Sequence, residues 1–178
     1  MKTLSMLLVA CSLHAYGQSD PCQKIGFANM QMIAQQLPET RQMEKELSSF
    51  GGQLQSQLNE KYSSYQKRAV DFESLPHNTD DAELKARRDE LLRLQQEIEK
   101  FSSDAENKFL QKQEELMRPI LLKIDLSINE VAAENDYSII INTELPAGQR
   151  LLLFGNKTYD ISDLVLKKLG VTVNLQQR

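Results

Sequence analysis

The chain has 178 residues, with 21 lysines and arginines against 25 aspartates and glutamates, for a formal net charge of -4. That balance argues against a nucleic-acid partner, which calls for a basic face. Sparse aromatics, no tryptophan, and a middle rich in Gln, Glu, Lys, Leu and Ser favour long helices over a large globular core.

Met1-Lys2-Thr3 leads into an apolar run over 4–13 that is far too short to span a bilayer, so residues 1–17 read as a secretion signal. Ala15 and Gly17 stand three and one positions before Gln18, which predicts cleavage after Gly17 and a mature chain one unit more negative for the loss of Lys2. The competing reading is a lipobox at Leu8-Val9-Ala10-Cys11, with Cys11 lipidated as the mature amino terminus. With Cys11 in the leader, Cys22 stands alone in the mature chain. It is a free thiol in a tail or an intermolecular bridge, and packing or assembly must supply the stability.

Residues 24–30 form a short apolar run with period-two character, read as a strand ending near Asn29. From 30 to 134 the period is helical almost throughout. Met43, Leu47, Phe50, Leu54, Leu58, Tyr62, Tyr65, Ala69 and Phe72 follow one another at steps of three and four, a single apolar stripe close to a heptad seam. Gly51-Gly52 interrupts it, at about 1 kcal/mol per glycine relative to alanine, and marks either a soft spot or a place of close packing.

Over 75–81 the stripe stops: Pro76 cannot continue the first helix, and Thr79 or Asp80 can cap a second, so this is a hairpin tip. The descending half carries Leu84, Leu91, Leu94, Ile98, Phe101, Ala105 and Phe109, then Leu116, Ile120, Ile124, Ile128 and Val131. Two such helices joined by a short turn zip together antiparallel, and arms of about 45 residues reach on the order of 65 Å. The charged residues among 85–93 read as a solvated face, and Pro119 predicts a kink near the base.

At Asn135-Asp136 the pattern changes. Residues 137–141 read as a strand, 150–154 as a second strand after a turn at 146–148, and 161–169 as a short helix capped by Asp160 and ended by Gly170, with a last edge strand over 171–173. The fold class is therefore α+β: a long antiparallel helical hairpin, 30–134, on a small β-rich body made of 18–29 and 135–178. The hairpin returns the chain to its start, so Ile25 and Phe27 can pair with the strand holding Ile139 and Ile141. A body this thin buries little apolar area alone, which predicts a homo-oligomer sharing a sheet or barrel through Ile25, Phe27, Ile139, Ile141, Leu151 and Leu153.

Signals for catalysis, metal or cofactor binding are missing. Only His77 survives leader removal, in the arm tip, and there is no ligand-spaced cluster, nucleophile elbow or phosphate loop, so no catalytic residue, metal or cofactor is expected.

Ile25-Gly26-Phe27-Ala28-Asn29-Met30 before a long helix, Pro119-Ile120 leading through Ile124 and Ile128 into 132–141, and the segment 159–169 resemble the Skp/OmpH family across essentially the whole mature chain. The resemblance implies a periplasmic homotrimer with a small β-barrel body and three projecting hairpins. It also implies an ATP-independent holdase that keeps unfolded outer-membrane β-barrel proteins from aggregating. The chain departs from the best-known member, which is strongly basic with positive tips. Here Asp80, Asp81 and Glu83 lie near the tip, which puts charge attraction to clients or anionic lipid in doubt and leaves at most a weak membrane-surface contact. Client contact then falls to apolar and aromatic residues such as Tyr62, Tyr65, Phe72, Leu75 and Leu92, against the plainer reading that most of them zip the hairpin. The alternative function is a structural or adaptor coiled-coil protein of the envelope, with or without a lipid anchor.

Overall fold

The structure, a computed structural model, describes residues 23–145 and 148–172. The leader, Cys11, Cys22 and Val173 lie outside them. Chain order is β1 (Ile25–Ala28), α1 (Met30–Gln36), α2 (Pro38–Glu73), α3 (Asp81–Glu134), β2 (Ile139–Asn142), a 3-10 turn (Lys157–Tyr159) and α4 (Ser162–Lys168).

Asn29 opens α1, its side-chain oxygen accepting the Met32 N–H at 2.9 Å. Sequence periodicity predicts one helix from residue 30, but the ascending limb breaks at Leu37. Pro38 denies the residue before it the helical backbone, and Leu37 sits extended at φ -75, ψ 136. Pro38 then starts α2 at the one position where its missing N–H costs nothing. The break turns Leu37 fully into the core, and Thr40 Oγ1 donates to the Ala34 carbonyl to bridge it.

α2 has 36 residues and α3 has 54, about 54 and 81 Å at the helical rise. α2 is shorter than the predicted arm because the break gives its first turns to the body. The tip lies where Pro76 places it: α2 stops at Glu73, and Thr79 donates both its N–H and its hydroxyl to the Pro76 carbonyl before α3 begins at Asp81. Charge pairs fix the antiparallel register from base to tip: Lys123–Glu39, Lys112–Glu46 at 3.1 Å, Lys61–Glu97 at 4.0 Å and Arg68–Glu90 at 3.3 Å. All are exposed or half-buried and each adds little energy, so they select the pairing rather than drive it. Both helices run unbroken through their awkward residues, Gly51-Gly52 in α2 and Pro119 in α3.

Below the arm, the last turns of α3 enter the body. Ile124, Ile128 and Val131 pack with Ile33 and Leu37 from the first limb and with Ile161, Val165 and Leu166 around α4. Complete burial of side chains such as Ile124 and Leu166 is worth about 1.5–3 kcal/mol each. The chain leaves α3 through Asp136 in the left-handed region at φ 56, with the Tyr137 N–H on the Ala132 carbonyl and the Asp136 N–H on that of Ala133. This turn points β2 along β1, and the strands pair in parallel with Ile25 opposite Ile139 and Phe27 opposite Ile141. Gly170, at φ 79, ends α4 in the same way.

The expected strand over 150–154 does not form. Leu151 and Leu152 both donate their N–H to the Thr143 carbonyl, Glu144 and Arg150 make one isolated bridge, and the chain then departs toward Phe27. The segment lacks β-branched residues, and among the described residues no strand lies beside it. Val171 and Thr172 likewise follow α4 without strand pairing. The described body is thus a two-stranded sheet.

Candidate functional surfaces

The arm seam follows the predicted stripe except at one place. Leu47, Phe50, Leu54, Leu58, Tyr65, Ala69 and Phe72 are half-buried, whereas Tyr62 is 48% exposed and Lys61 takes its turn on the seam. The lysine stem lies along α3 with its Nζ 5.5 Å from the Phe101 ring centroid and 4.0 Å from Glu97 Oε2, so an ammonium occupies a seam position without full burial. Of the residues expected to touch a client, Tyr65, Phe72 and Leu75 are half-buried on the hairpin seam. Tyr62 and Leu92, the latter 52% exposed, stand clear of it. Val70 is exposed on the same arm.

A second apolar surface, not anticipated from the seam, lies near the base of α3. Leu110, Met117, Leu121 and Leu122 line an open groove of about 540 Å³ together with Met30, rimmed by Glu114, Arg118 and Asp125. The signal was present in the sequence as leucines out of phase with the stripe. Leu110, Leu121, Leu122 and Leu126 are all exposed, while Leu116, Ile120 and Ile124 face inward.

The body presents a third surface. One edge of the sheet is covered, since Ile161 donates its N–H to Phe27 and Asp160 bridges to Phe27. Among the described residues nothing pairs with the far edge of β2. A groove of about 440 Å³ lies beside that edge, lined by Ile139, Ile140 and Asn142 and by Asn129, Ala132 and Ala133 of α3. Of the predicted body residues, Ile25, Ile139 and Leu151 are about half exposed and Phe27 and Ile141 partly buried, while Leu153 is 85% exposed with Phe154 beside it at 87%.

Electrostatics brace these parts. Hydrogen bonding from Lys123 holds the Glu39 carboxyl below its usual range, Glu46 raises Lys112, and Glu134 with Glu130 raises Lys168, which pins α4 to α3. Among the described residues no three His, Cys, Asp or Glu side chains gather as a metal site, and no helix is long and apolar enough to cross a membrane.

The described residues thus form an antiparallel helical arm standing on a small body with an open sheet edge. The family model of outer membrane protein (OmpH-like) matches residues 24–169, and the chain belongs to that family. A crystal structure from Caulobacter crescentus, described as that of a candidate outer membrane chaperone (OmpH-like), superposes with a TM-score of 0.71 at 11% identity. The match covers 89% of this chain and 95% of that one, and it shows a shared fold. No curated protein matches the chain.

Proposed function

We propose that the chain is an ATP-independent holdase chaperone of the periplasm, working as a homotrimer that keeps unfolded outer-membrane β-barrel proteins from aggregating. In this reading 18–29 and 135–178 form the shared β-barrel body, and 30–134 form the arm. Family membership and the likeness to a candidate outer membrane chaperone support it. The observation that carries it is the distribution of uncovered apolar surface: Tyr62, Val70 and Leu92 on the arm and the Leu110–Leu122 groove at its base stay open after the seam has closed.

Many such weak contacts on three arms around one client sum to useful affinity by effective concentration, and mass action on the non-native state does the rest without ATP. Asp80, Asp81 and Glu83 beside the tip make apolar contact, not charge attraction, the source of client affinity, and leave membrane-surface contact weak. The test is turbidity of a urea-unfolded β-barrel protein diluted into buffer with the mature chain and no nucleotide. Suppression near one trimer per client is expected. Undiminished turbidity, with one tight folded partner recovered instead, gives the assignment to a structural adaptor.

A further inference from the structure

At 3.6 residues per turn, the residues of α3 within about 60° of Leu92 form one strip that runs beside the seam from Leu92 to Asp125. Its apolar members are Leu92, Leu110, Met117 and Leu121, and the three leucines are 52%, 57% and 41% exposed. Its charged members are Glu99, Glu106, Glu114 and Asp125, all exposed. The six lysines and arginines between Leu92 and Asp125 all fall outside it. Of the three that come nearest, Arg93, Lys100 and Arg118, the two arginines are each held by a glutamate four residues away, at 2.7 and 2.9 Å.

Two hollows open along this strip. One is the groove of about 540 Å³ at the base of the arm, over Leu110, Met117 and Leu121, with Glu114 and Asp125 on its rim. The other, of about 320 Å³, lies between the two helices beside Gly51, Leu54, Leu58 and Phe109, with Glu106 at its border. The hollow on the other side of the seam, around Leu94, carries Lys61 along with Glu60 and Glu97. Apolar surface edged by carboxylates in excess is therefore a property of one side of the arm.

We propose that this strip selects clients by charge: it holds unfolded segments whose apolar side chains are interleaved with lysine or arginine, and rejects segments interleaved with aspartate or glutamate. The inference rests on the holdase reading above and goes further by naming the charge class of the client. Apolar contact supplies the affinity, and the carboxylates decide which segments receive it, since charge at a binding surface discriminates between partners more than it tightens them. A second copy of this chain does not fit the strip, because two such strips laid together would set Glu106 and Glu114 against like charges, and the chain as a whole carries a net charge of -4. The four carboxylates stand roughly 10–17 Å apart along the helix, at or beyond the screening length of about 10 Å in 0.1 M salt, so each acts on its own neighbourhood and added salt erases the preference.

The experiment measures fluorescence anisotropy of three short peptides on the mature chain, with identical alternating leucines and phenylalanines and with lysine, serine or glutamate between them. Aggregation suppression of a urea-unfolded β-barrel protein is followed in parallel. The lysine peptide should bind about tenfold more tightly than the glutamate peptide at low ionic strength, with serine between, and the gap should shrink to about twofold in 0.5 M salt. Glu99→Gln, Glu106→Gln, Glu114→Gln and Asp125→Asn together should close the gap, whereas neutralising four exposed acids off the strip, Glu60, Asp71, Asp104 and Glu115, should leave it. Leu110→Ser with Leu121→Ser should weaken all three peptides. Equal binding of the lysine and glutamate peptides by a chain that still suppresses aggregation overturns the proposal and spares the holdase reading. A lysine preference that survives loss of the four strip acids, or that is lost equally with the four others, also overturns it, and so does binding indifferent to the two leucines. Absence of both peptide binding and aggregation suppression overturns the two readings together.

Discussion

Gly51 and Gly52 sit side by side in the interior of α2 yet face different surroundings, and replacing each by alanine separates helix propensity from packing. Alanine gains about 1 kcal/mol over glycine in a helix interior, because it restricts the unfolded chain and exposes less backbone. A Cβ at Gly52 meets nothing within 4 Å, so Gly52→Ala should realise the whole gain. A Cβ at Gly51 would lie 3.1 Å from Phe109 Cε2, inside the optimal carbon separation of about 3.5–4.0 Å. The ring must move, and overpacking of this kind costs about 1–3 kcal/mol. Gly51→Ala should therefore fall between neutral and about 2 kcal/mol destabilising. The assay is denaturant unfolding followed by helical circular dichroism, at one protein concentration because assembly is linked to folding. Equal stabilisation by the two alanines would refute the argument that Phe109 packs on Gly51 and would make the pair a plain weak point.

Ile124→Ala, in the fully buried centre of the body core, should cost about 2–5 kcal/mol by the same assay, and a loss below about 1 kcal/mol would mean the core is not where the contacts put it. The depressed Glu39 carboxyl makes its contribution above the unfolded carboxyl's range and loses it as pH falls through the folded one, so Glu39→Gln should flatten the acid side of the stability profile. An unchanged acid limb would remove the Lys123 pair from the account. Lys168, raised by Glu134 and Glu130, carries the opposite sign: its contribution is present below the ordinary lysine range and fades as pH rises through the raised one. Tyr62→Ser with Leu92→Ser should weaken suppression of client aggregation several-fold and leave helix content unchanged, because both stand off the seam. Phe72→Ser with Leu75→Ser should lower arm stability as well.

The helical hairpin was legible because its stripe obeys one period on both limbs, and Pro76 with the polar residues after it could only be a turn. The pairing of the strand holding Ile25 and Phe27 with the one holding Ile139 and Ile141 followed from topology, since a hairpin must bring its ends together; the structure adds its parallel sense and register. Four details were hidden for physical reasons. Steps of three or four from Leu58 both fit a helix, so Lys61 or Tyr62 could take the seam, and it is Lys61 that lies against Phe101 and Glu97 across the interface. Pro38 reads locally as an ordinary first-turn proline, and only the packing of Leu37 makes it a break between two helices. The leucines of 150–154 look like a strand because they are apolar, but a strand needs a neighbour, and among the described residues only Thr143 and the Glu144–Arg150 bridge tie the segment down. The groove at the base of α3 escaped notice because an amphipathic reading assigns each helix one apolar face, whereas α3 carries leucines outside it.

Light scattering of the mature chain during size exclusion, with and without a urea-unfolded β-barrel protein, tests the whole account most directly. A particle of three chains that gains one client and keeps its own stoichiometry is the predicted result. A monomer, or an oligomer that elutes unchanged while the client aggregates beside it, would contradict it.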